Sequence, residues 1–109
     1  MLRAATAEAV VNGVAVQFRV GDWVTLPGNA LSWRGGHIEV IDESGYLYLG
    51  FGERDEPEIF RCRGQRTPHS VSDVGKVWRR VEQPSHTTFK FATYSIQVYS
   101  VESVWRRIA

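Results

Sequence analysis

The chain has 109 residues, of which 43% are hydrophobic, 12% aromatic and 23% charged, and its formal net charge is +1. This composition is typical of one small globular domain rather than a disordered segment, and the charge does not demand a nucleic acid or an anionic membrane as partner. A single cysteine, Cys62, excludes an internal disulfide and a zinc site with several cysteines.

The first residues contain no apolar run of signal-peptide length, because Glu8 and Asn12 interrupt it. No segment reaches the roughly 18 consecutive apolar residues of a membrane span. The single Cys62 suits a reducing compartment. We therefore expect a cytoplasmic protein that has no membrane partner.

The first half of the chain predicts short strands separated by turns. Asn12-Gly13 lies between two apolar runs and predicts a two-residue hairpin turn, because both of its positions adopt positive φ. A strand is predicted over 18–26, before a loop at 27–29. Further along, the pattern predicts strands at 37–41 and 46–51, with a turn between them at 42–45.

The second half continues in the same way. Strands are predicted at 58–62, 77–81 and 87–91, with a loop or one helical turn at 64–72 and a turn at 84–86. The tail, 95–109, predicts a strand, a tight turn at 100–103 and a final strand. A helix is the alternative for the tail, because four of its apolar residues also fit a period of 3.6: Val98, Val101, Trp105 and Ile108.

Short strands at intervals of about 8–12 residues predict a sandwich or barrel. We predict an all-β fold, an SH3-like small barrel with an extra hairpin extension, in which 1–17 form an N-terminal hairpin or arm and 18–109 the barrel. VWRRV at 77–81 echoes VWRRI at 104–108, so two partly fused barrel units, 18–82 and 58–109, remain an alternative. The predicted core consists of Trp23, Val24, Ile38, Val40, Leu47, Leu49, Phe60, Val77, Val98 and Val104.

Three segments carry a family resemblance. FRVGDWV at 18–24 resembles the first strand of SH3, Tudor and KOW barrels, and the tail, with SIQVY at 95–99 and VWRRI at 104–108, resembles the C-terminal strand of the type II dihydrofolate reductases. WRGGHI at 33–38 is similar to the Trp-x-Gly-x-Ile segment of those enzymes. The resemblance implies an SH3-like barrel in a tetramer around one central pore, where Gln97, Val98 and Tyr99 hold folate and NADPH.

Cations are concentrated late in the chain, where ten of the 13 Lys and Arg residues follow position 50, interleaved with aromatics. A cationic sheet face with exposed aromatics binds single-stranded nucleic acid through backbone charge and base stacking. Alternatively, the aromatics face inward and the arginines outward by simple strand alternation. The candidate binding residues are Arg61, Arg63, Arg66, Trp78, Arg79, Arg80, Trp105, Arg106 and Arg107.

No catalytic or metal motif is recognisable, so we predict no catalytic residue, no metal ligand and no cofactor. His37, His69 and His86 lie too far apart for a metal-ligand pair on one element, and we expect them to be isolated. Cys62 is predicted to be a buried small hydrophobe in a strand, with a reactive thiol flanked by Arg61 and Arg63 as the alternative.

The sequence thus favours a non-enzymatic binding module, for protein or nucleic acid, within a larger assembly or a homo-oligomer. Two alternatives stay open. One is an oligomeric, pore-type enzyme like the type II dihydrofolate reductases, which uses NADPH. The other is a phage or mobile-element accessory protein that binds and blocks a host factor.

Overall fold

A computed structural model describes residues 7–27, 35–62 and 67–109, and in these ranges the regular structure is β-strand, with two short 3-10 turns. The all-β prediction is confirmed for this part of the chain. The strands are β1 (Ala7–Val11), β2 (Val14–Phe18), β3 (Trp23–Thr25), β4 (Gly35–Ile41), β5 (Leu47–Phe51), β6 (Val77–Lys90) and β7 (Ser95–Arg107).

Strands β1 and β2 form a separate two-stranded hairpin, in which Ala7 is paired with Phe18 and Val11 with Val14. Asn12 and Gly13 both have positive φ, 50° and 79°, as a two-residue hairpin turn requires. The hairpin turn predicted here is therefore confirmed. The Asn12 side chain also donates a hydrogen bond to the carbonyl oxygen of Gly75, at 2.8 Å, and so ties the hairpin to the segment before β6.

The other five strands form one antiparallel sheet in the order β5-β4-β3-β6-β7. Within the described ranges this sheet is open, with β5 and β7 at its two edges, and it does not close into a barrel. The turn predicted at 42–45 joins β4 to β5. The Asp42 carboxylate accepts hydrogen bonds there from the backbone N–H groups of Ser44 and Tyr46, and Gly45 adopts a φ of 84°.

The hydrophobic core lies between the hairpin and one face of the sheet. Five of the predicted core residues are buried as expected: Val24, Ile38, Leu47, Leu49 and Val77. Trp23 and Val104 are only half-buried. Four hairpin residues that the prediction omitted also belong to the core: Ala7, Val11, Val16 and Phe18. The core further includes Val74 and the last residue, Ala109.

Glycine is required where β3 and β4 approach each other. A Cβ atom on Gly35 would overlap the carbonyl oxygen of Val24 and lie 2.7 Å from Cζ2 of the Trp23 ring. The Val24 oxygen belongs to the backbone of a paired strand and cannot move aside easily. The Gly-Gly pair at the start of β4 therefore allows the close strand contact at the centre of the sheet.

Val40 was predicted in the core and is exposed. Ile38 pairs with Leu49, but Val40 pairs with Tyr48, so Glu39 is the extra residue of a β-bulge. Because an extra residue reverses the alternation of side chains, Val40 points away from the face that holds Ile38.

The strand predicted over 58–62 is wrong. Glu58–Phe60 forms a 3-10 turn after Pro57, whose fixed φ suits the start of a helical turn, and Phe60 is exposed rather than in the core. Cys62 makes an isolated bridge to Phe51, and its side chain is exposed, not buried as predicted. Beyond these residues, Val71–Asp73 forms the helical turn that was one alternative for 64–72.

The turns predicted at 84–86 and 100–103 are also wrong, and so is the alternative of a helical tail. Strands β6 and β7 run unbroken through both segments, and the chain reverses at 91–94 instead, where the N–H of Phe91 donates to the carbonyl oxygen of Tyr94. Proline is tolerated in β6 because Pro84 lies beyond the end of β3, on the strand's unpaired side.

This long β-hairpin gives the molecule its shape. The radius of gyration is 18.0 Å and the longest extent is 61 Å, whereas a compact chain of this length has a radius of gyration of about 13 Å. Every residue from 86 to 103 is exposed, Val98 included, although it was predicted in the core. The part of the chain that the structure describes has no helix able to cross a membrane.

Candidate binding surface

Strands β6 and β7 form a two-stranded ribbon that begins in the sheet and extends away from it into solvent. Thirteen residue pairs connect the strands, from Trp78–Arg107 to Lys90–Ser95. Directly opposed residues of an antiparallel pair share a face, and faces alternate along each strand. The register therefore assigns each side chain of the ribbon to one of two faces.

One face, the apolar face, continues the face of the sheet that holds the core. It carries the buried Val77 where the ribbon leaves the sheet and Phe89 near the end. Phe89, Ile96 and Val98 there have 51%, 46% and 49% of their surface exposed. From the sheet outward, its pairs are Val81–Val104, Gln83–Glu102, Ser85–Ser100, Thr87–Val98 and Phe89–Ile96.

The opposite face, the polar face, is mainly hydrophilic, although it includes Val101 and Tyr99. The Tyr99 hydroxyl donates a hydrogen bond to Oε1 of Gln97, and the rings of Tyr99 and His86 lie 5.7 Å apart. Its pairs are Glu82–Ser103, Pro84–Val101, His86–Tyr99, Thr88–Gln97 and Lys90–Ser95.

Two aromatic rings close the tip of the ribbon. Phe91 and Tyr94 stack with ring centroids 4.7 Å apart and an interplanar angle of 19°. Both rings remain more than half exposed. Alternation places them on the apolar side, so that they extend the exposed surface of Phe89 and Ile96.

At the base of the ribbon, the side that continues the polar face carries a cluster of aromatic rings and guanidinium groups. Trp23 is paired with both His37 and Trp78, so these three share a face. The Arg54 guanidinium lies 4.3 Å from the centroid of the Trp78 ring, and that of Arg80 lies 5.2 Å from the Trp105 ring. We call this set the junction cluster: Trp23, His37, Arg54, Trp78, Arg80 and Trp105.

The junction cluster is held in place by hydrogen bonds to one loop. Nε1 of Trp23 donates to the carbonyl oxygen of Gly52 at 2.9 Å, and Nε2 of His37 donates to that of Arg54 at 3.2 Å. The His37 and Trp105 rings are 5.7 Å apart. Because guanidinium groups already cover one face of the Trp78 and Trp105 rings, the cluster resembles an internal packing layer more than an open stacking platform.

On the apolar-face side of the base, Arg79 forms a bidentate ion pair with the buried Asp22. Its Nε and Nη2 atoms lie 2.9 Å from the two carboxylate oxygens, and Nη2 also donates to the carbonyl oxygen of Gln17 in the hairpin. The hydrogen bond to Asp22 raises the pKa of Arg79. This arginine therefore joins the ribbon, the sheet and the hairpin.

The structure thus divides the candidate binding residues from the sequence. It brings Trp78, Arg80, Trp105 and Arg107 together on one face, and places Arg79 and Arg106 on the other. Both Arg106 and Arg107 are exposed, and Nε of Arg107 donates to the carbonyl oxygen of Ala109. Arg61 lies half-buried beside the 3-10 turn. Two further candidates, Arg63 and Arg66, lie outside the described residues, as do Trp33 and Arg34 of the WRGGHI segment.

The residues of the alternative pore site lie in the outer part of the ribbon. Gln97 and Tyr99 are on the polar face and Val98 is on the apolar face. All three are exposed in the single chain. They do not form a concave site within one copy.

The hairpin carries a groove of about 380 Å³, lined by Glu8, Ala9, Val10, Ala15, Val16 and Gln17. This lining offers one carboxylate and one amide, which do not make the acid–base or nucleophile–base pair that catalysis needs. In the described ranges, no three His, Cys, Asp or Glu side chains are grouped so that they could hold a metal ion.

The buried His37 and the half-buried His69 are expected to make stability depend on pH. Burial lowers the pKa of His37 below 6.5, the charge of Arg61 lowers it further, and hydrogen bonds to the Arg54 and Gly50 carbonyls act in the opposite direction. Burial also lowers the pKa of His69, which Asp73 partly offsets. Below about pH 6.5 the unfolded chain therefore binds more protons at these positions than the folded chain does.

We expect the free energy of unfolding to fall as the pH drops from 7.5 to 5, because protonation of both histidines favours the unfolded state. Urea denaturation at a series of pH values measures this dependence. His37→Gln and His69→Gln should each make the fall shallower. Equal stability at pH 7.5 and 5 in the wild type would contradict the assignment.

The chain matches no protein-family model, no curated protein and no solved structure. The candidate binding surface is therefore assigned from the geometry of the chain alone. Sequence reasoning missed the ribbon because the segments 84–86, which begins with Pro84, and 100–103 were both interpreted as turns. The signal that could have found it is the alternation at positions 87, 89, 96 and 98, which is symmetric about a turn at 91–94 and places three apolar residues, Phe89, Ile96 and Val98, on one face.

Proposed function

We propose that the protein is a non-enzymatic binding module that docks onto another protein surface through the apolar face of its ribbon. One observation carries the proposal. Phe89, Ile96 and Val98 lie half exposed on one face of a ribbon whose other face is mainly hydrophilic. Antiparallel sheets with this alternation normally pack the apolar face against a second layer.

The low stability expected of an isolated ribbon also indicates that a second layer packs on it. A two-stranded ribbon alone is marginally stable in water, and here nothing in the described chain covers its outer part. With full side-chain areas of about 150–250 Å² for the aromatics, the exposed surface of Phe89, Phe91, Tyr94, Ile96 and Val98 is on the order of 500 Å². A patch of that size is comparable to the largest that a monomeric protein exposes, and such patches are often functional.

Charge favours a protein over a nucleic acid as the partner. Between residues 82 and 104, all of them described, Lys90 is the single Lys or Arg, and the same segment contains two acids, Glu82 and Glu102. Affinity for nucleic acid depends on several cations that neutralise phosphates. At the base of the ribbon, Arg79 forms an ion pair with Asp22, and the Arg80 guanidinium lies over the Trp105 ring.

Four finer proposals accompany this one. An SH3-like ancestry of the sheet and a cytoplasmic location remain proposals from sequence. An accessory protein that blocks a host factor would be the same docking module with a particular partner. A dihydrofolate reductase-like activity also stays a prediction, which NADPH oxidation in the presence of dihydrofolate would test, with Gln97→Ala as the control.

Site-specific photo-crosslinking in cells tests the docking function. A photoreactive phenylalanine analogue at Phe89 lies on the apolar face, and the same analogue at Thr88 lies on the polar face one residue away. We expect a defined protein adduct, which can be a second copy of the chain, from position 89 and not from position 88. No protein adduct from position 89, equal adducts from both positions, or an adduct with nucleic acid would overturn the proposal.

A further inference from the structure

We propose that the protein docked on the apolar face is a second copy of this chain, so that two ribbons pack face to face and point in opposite directions. This inference rests on the proposed docking function and names its partner. The dimer would be a four-stranded sandwich whose two layers are about 10 Å apart.

The order of side-chain sizes along the apolar face fits such a dimer. The large pair Phe89–Ile96 and the small pair Ser85–Ser100 lie on either side of Thr87–Val98. When a two-fold axis passes through the Thr87–Val98 pair, Phe89 of each copy lies over Ser85 of the other, and Ile96 lies over Ser100. A two-fold interface must be self-complementary, and here large residues meet small ones.

The next pairs outward are also complementary. The same axis places the stacked rings of Phe91 and Tyr94 over Gln83 and Glu102 of the second copy. Gln83 and Glu102 are already hydrogen-bonded to each other at 2.8 Å. The Tyr94 hydroxyl can donate to the remaining acceptor capacity of the Glu102 carboxylate, so this polar pair need not be buried without a partner.

Charge and size also suit a second copy. From Ser85 to Phe91 and from Tyr94 to Ser100 the apolar face carries no charge, so Glu102 is the one charged residue of the proposed contact. The net charge of +1 does not oppose association. The two apolar surfaces together amount to roughly 1,000 Å², near the lower bound for a specific interface. We therefore expect a reversible dimer with a dissociation constant in the micromolar range.

Sedimentation velocity of the purified chain from 1 to 200 μM tests the dimer. We expect the mass to rise from 12.4 kDa toward twice that value with concentration. Phe89→Ser should weaken the dimer at least tenfold, and so should Ser85→Phe, which fills the small row. Tyr99→Ser, which removes an exposed aromatic on the polar face, should leave it unchanged. Circular dichroism checks that each variant remains folded.

Crosslinking tests the relative orientation. In a Cys62→Ser background, which removes the exposed native thiol, Thr87→Cys should give a covalent dimer with a short bis-maleimide and Thr88→Cys should not. A monomer at every concentration, or equal crosslinking at both positions, overturns the inference. If the chain is monomeric but position 89 still captures a different protein in cells, the docking function survives. If it captures none, both proposals fail.

Discussion

Replacing Arg79 with alanine is expected to lower the free energy of unfolding by about 3–5 kcal/mol, the cost of leaving one partner of a buried ion pair uncompensated. Asp22 has only 2% of its surface exposed. Its carboxylate accepts two hydrogen bonds from Arg79 and one from the backbone N–H of Arg19. Without the guanidinium, a charged carboxylate would remain buried between the sheet and the hairpin.

Arg106 provides a matched control because it lies directly opposite Arg79 in the ribbon register. It is exposed, and Arg106→Ala should change the free energy of unfolding by less than about 0.5 kcal/mol. From the sequence alone, these two arginines are predicted to make equivalent contacts with a nucleic acid. Urea denaturation of both variants measures the difference, and Asp22→Asn combined with Arg79→Met should recover part of the loss. Similar losses in the two single variants would show that the ion pair is not structural.

Truncating Ile38 to alanine is expected to cost about 2–5 kcal/mol, because it removes buried methyl groups and leaves a cavity. Ile38 has 1% of its surface exposed and lies in the same core cluster as Leu49 and Val24. Its neighbours belong to a hydrogen-bonded sheet, which limits how far they can collapse into the space.

The same substitution at Ile96 is the control, since that side chain is 46% exposed on the ribbon. Ile96→Ala should cost less than about 1 kcal/mol in dilute solution, where the apolar face is uncovered. Chemical denaturation at low protein concentration compares the two variants directly. A loss at Ile96 as large as that at Ile38 would place the ribbon inside the core and contradict the architecture.

Local signals in the sequence were sufficient for much of the body of the protein. Asn12-Gly13 and the Asp42 turn were predictable because their backbone conformations depend on the residues themselves. Val24, Ile38, Leu47 and Leu49 followed from strand alternation. Val40 did not, because the bulge at Glu39 is decided by pairing between β4 and β5 and has no strong local signature.

The ribbon could not be predicted in the same way. Pro84 favours a turn in isolation, but it is accommodated in β6 because no strand lies beside it. Apolar alternation in the tail was interpreted as evidence of burial, and this was wrong for Val98 because alternation reports only that residues share a face. The bidentate contact between Arg79 and Asp22 spans 57 positions and depends on tertiary structure.

The most direct test of the account is the solvent accessibility of methyl groups on the two faces of the ribbon. A soluble paramagnetic agent broadens the NMR signals of exposed methyl groups. In dilute, isolated protein we expect Ile96, Val98 and Val101 all to be broadened. In concentrated protein or in the captured complex, Ile96 and Val98 should become protected while Val101, on the polar face, stays accessible. If Ile96 and Val98 remain as accessible as Val101 in every sample, the apolar face is not a docking surface.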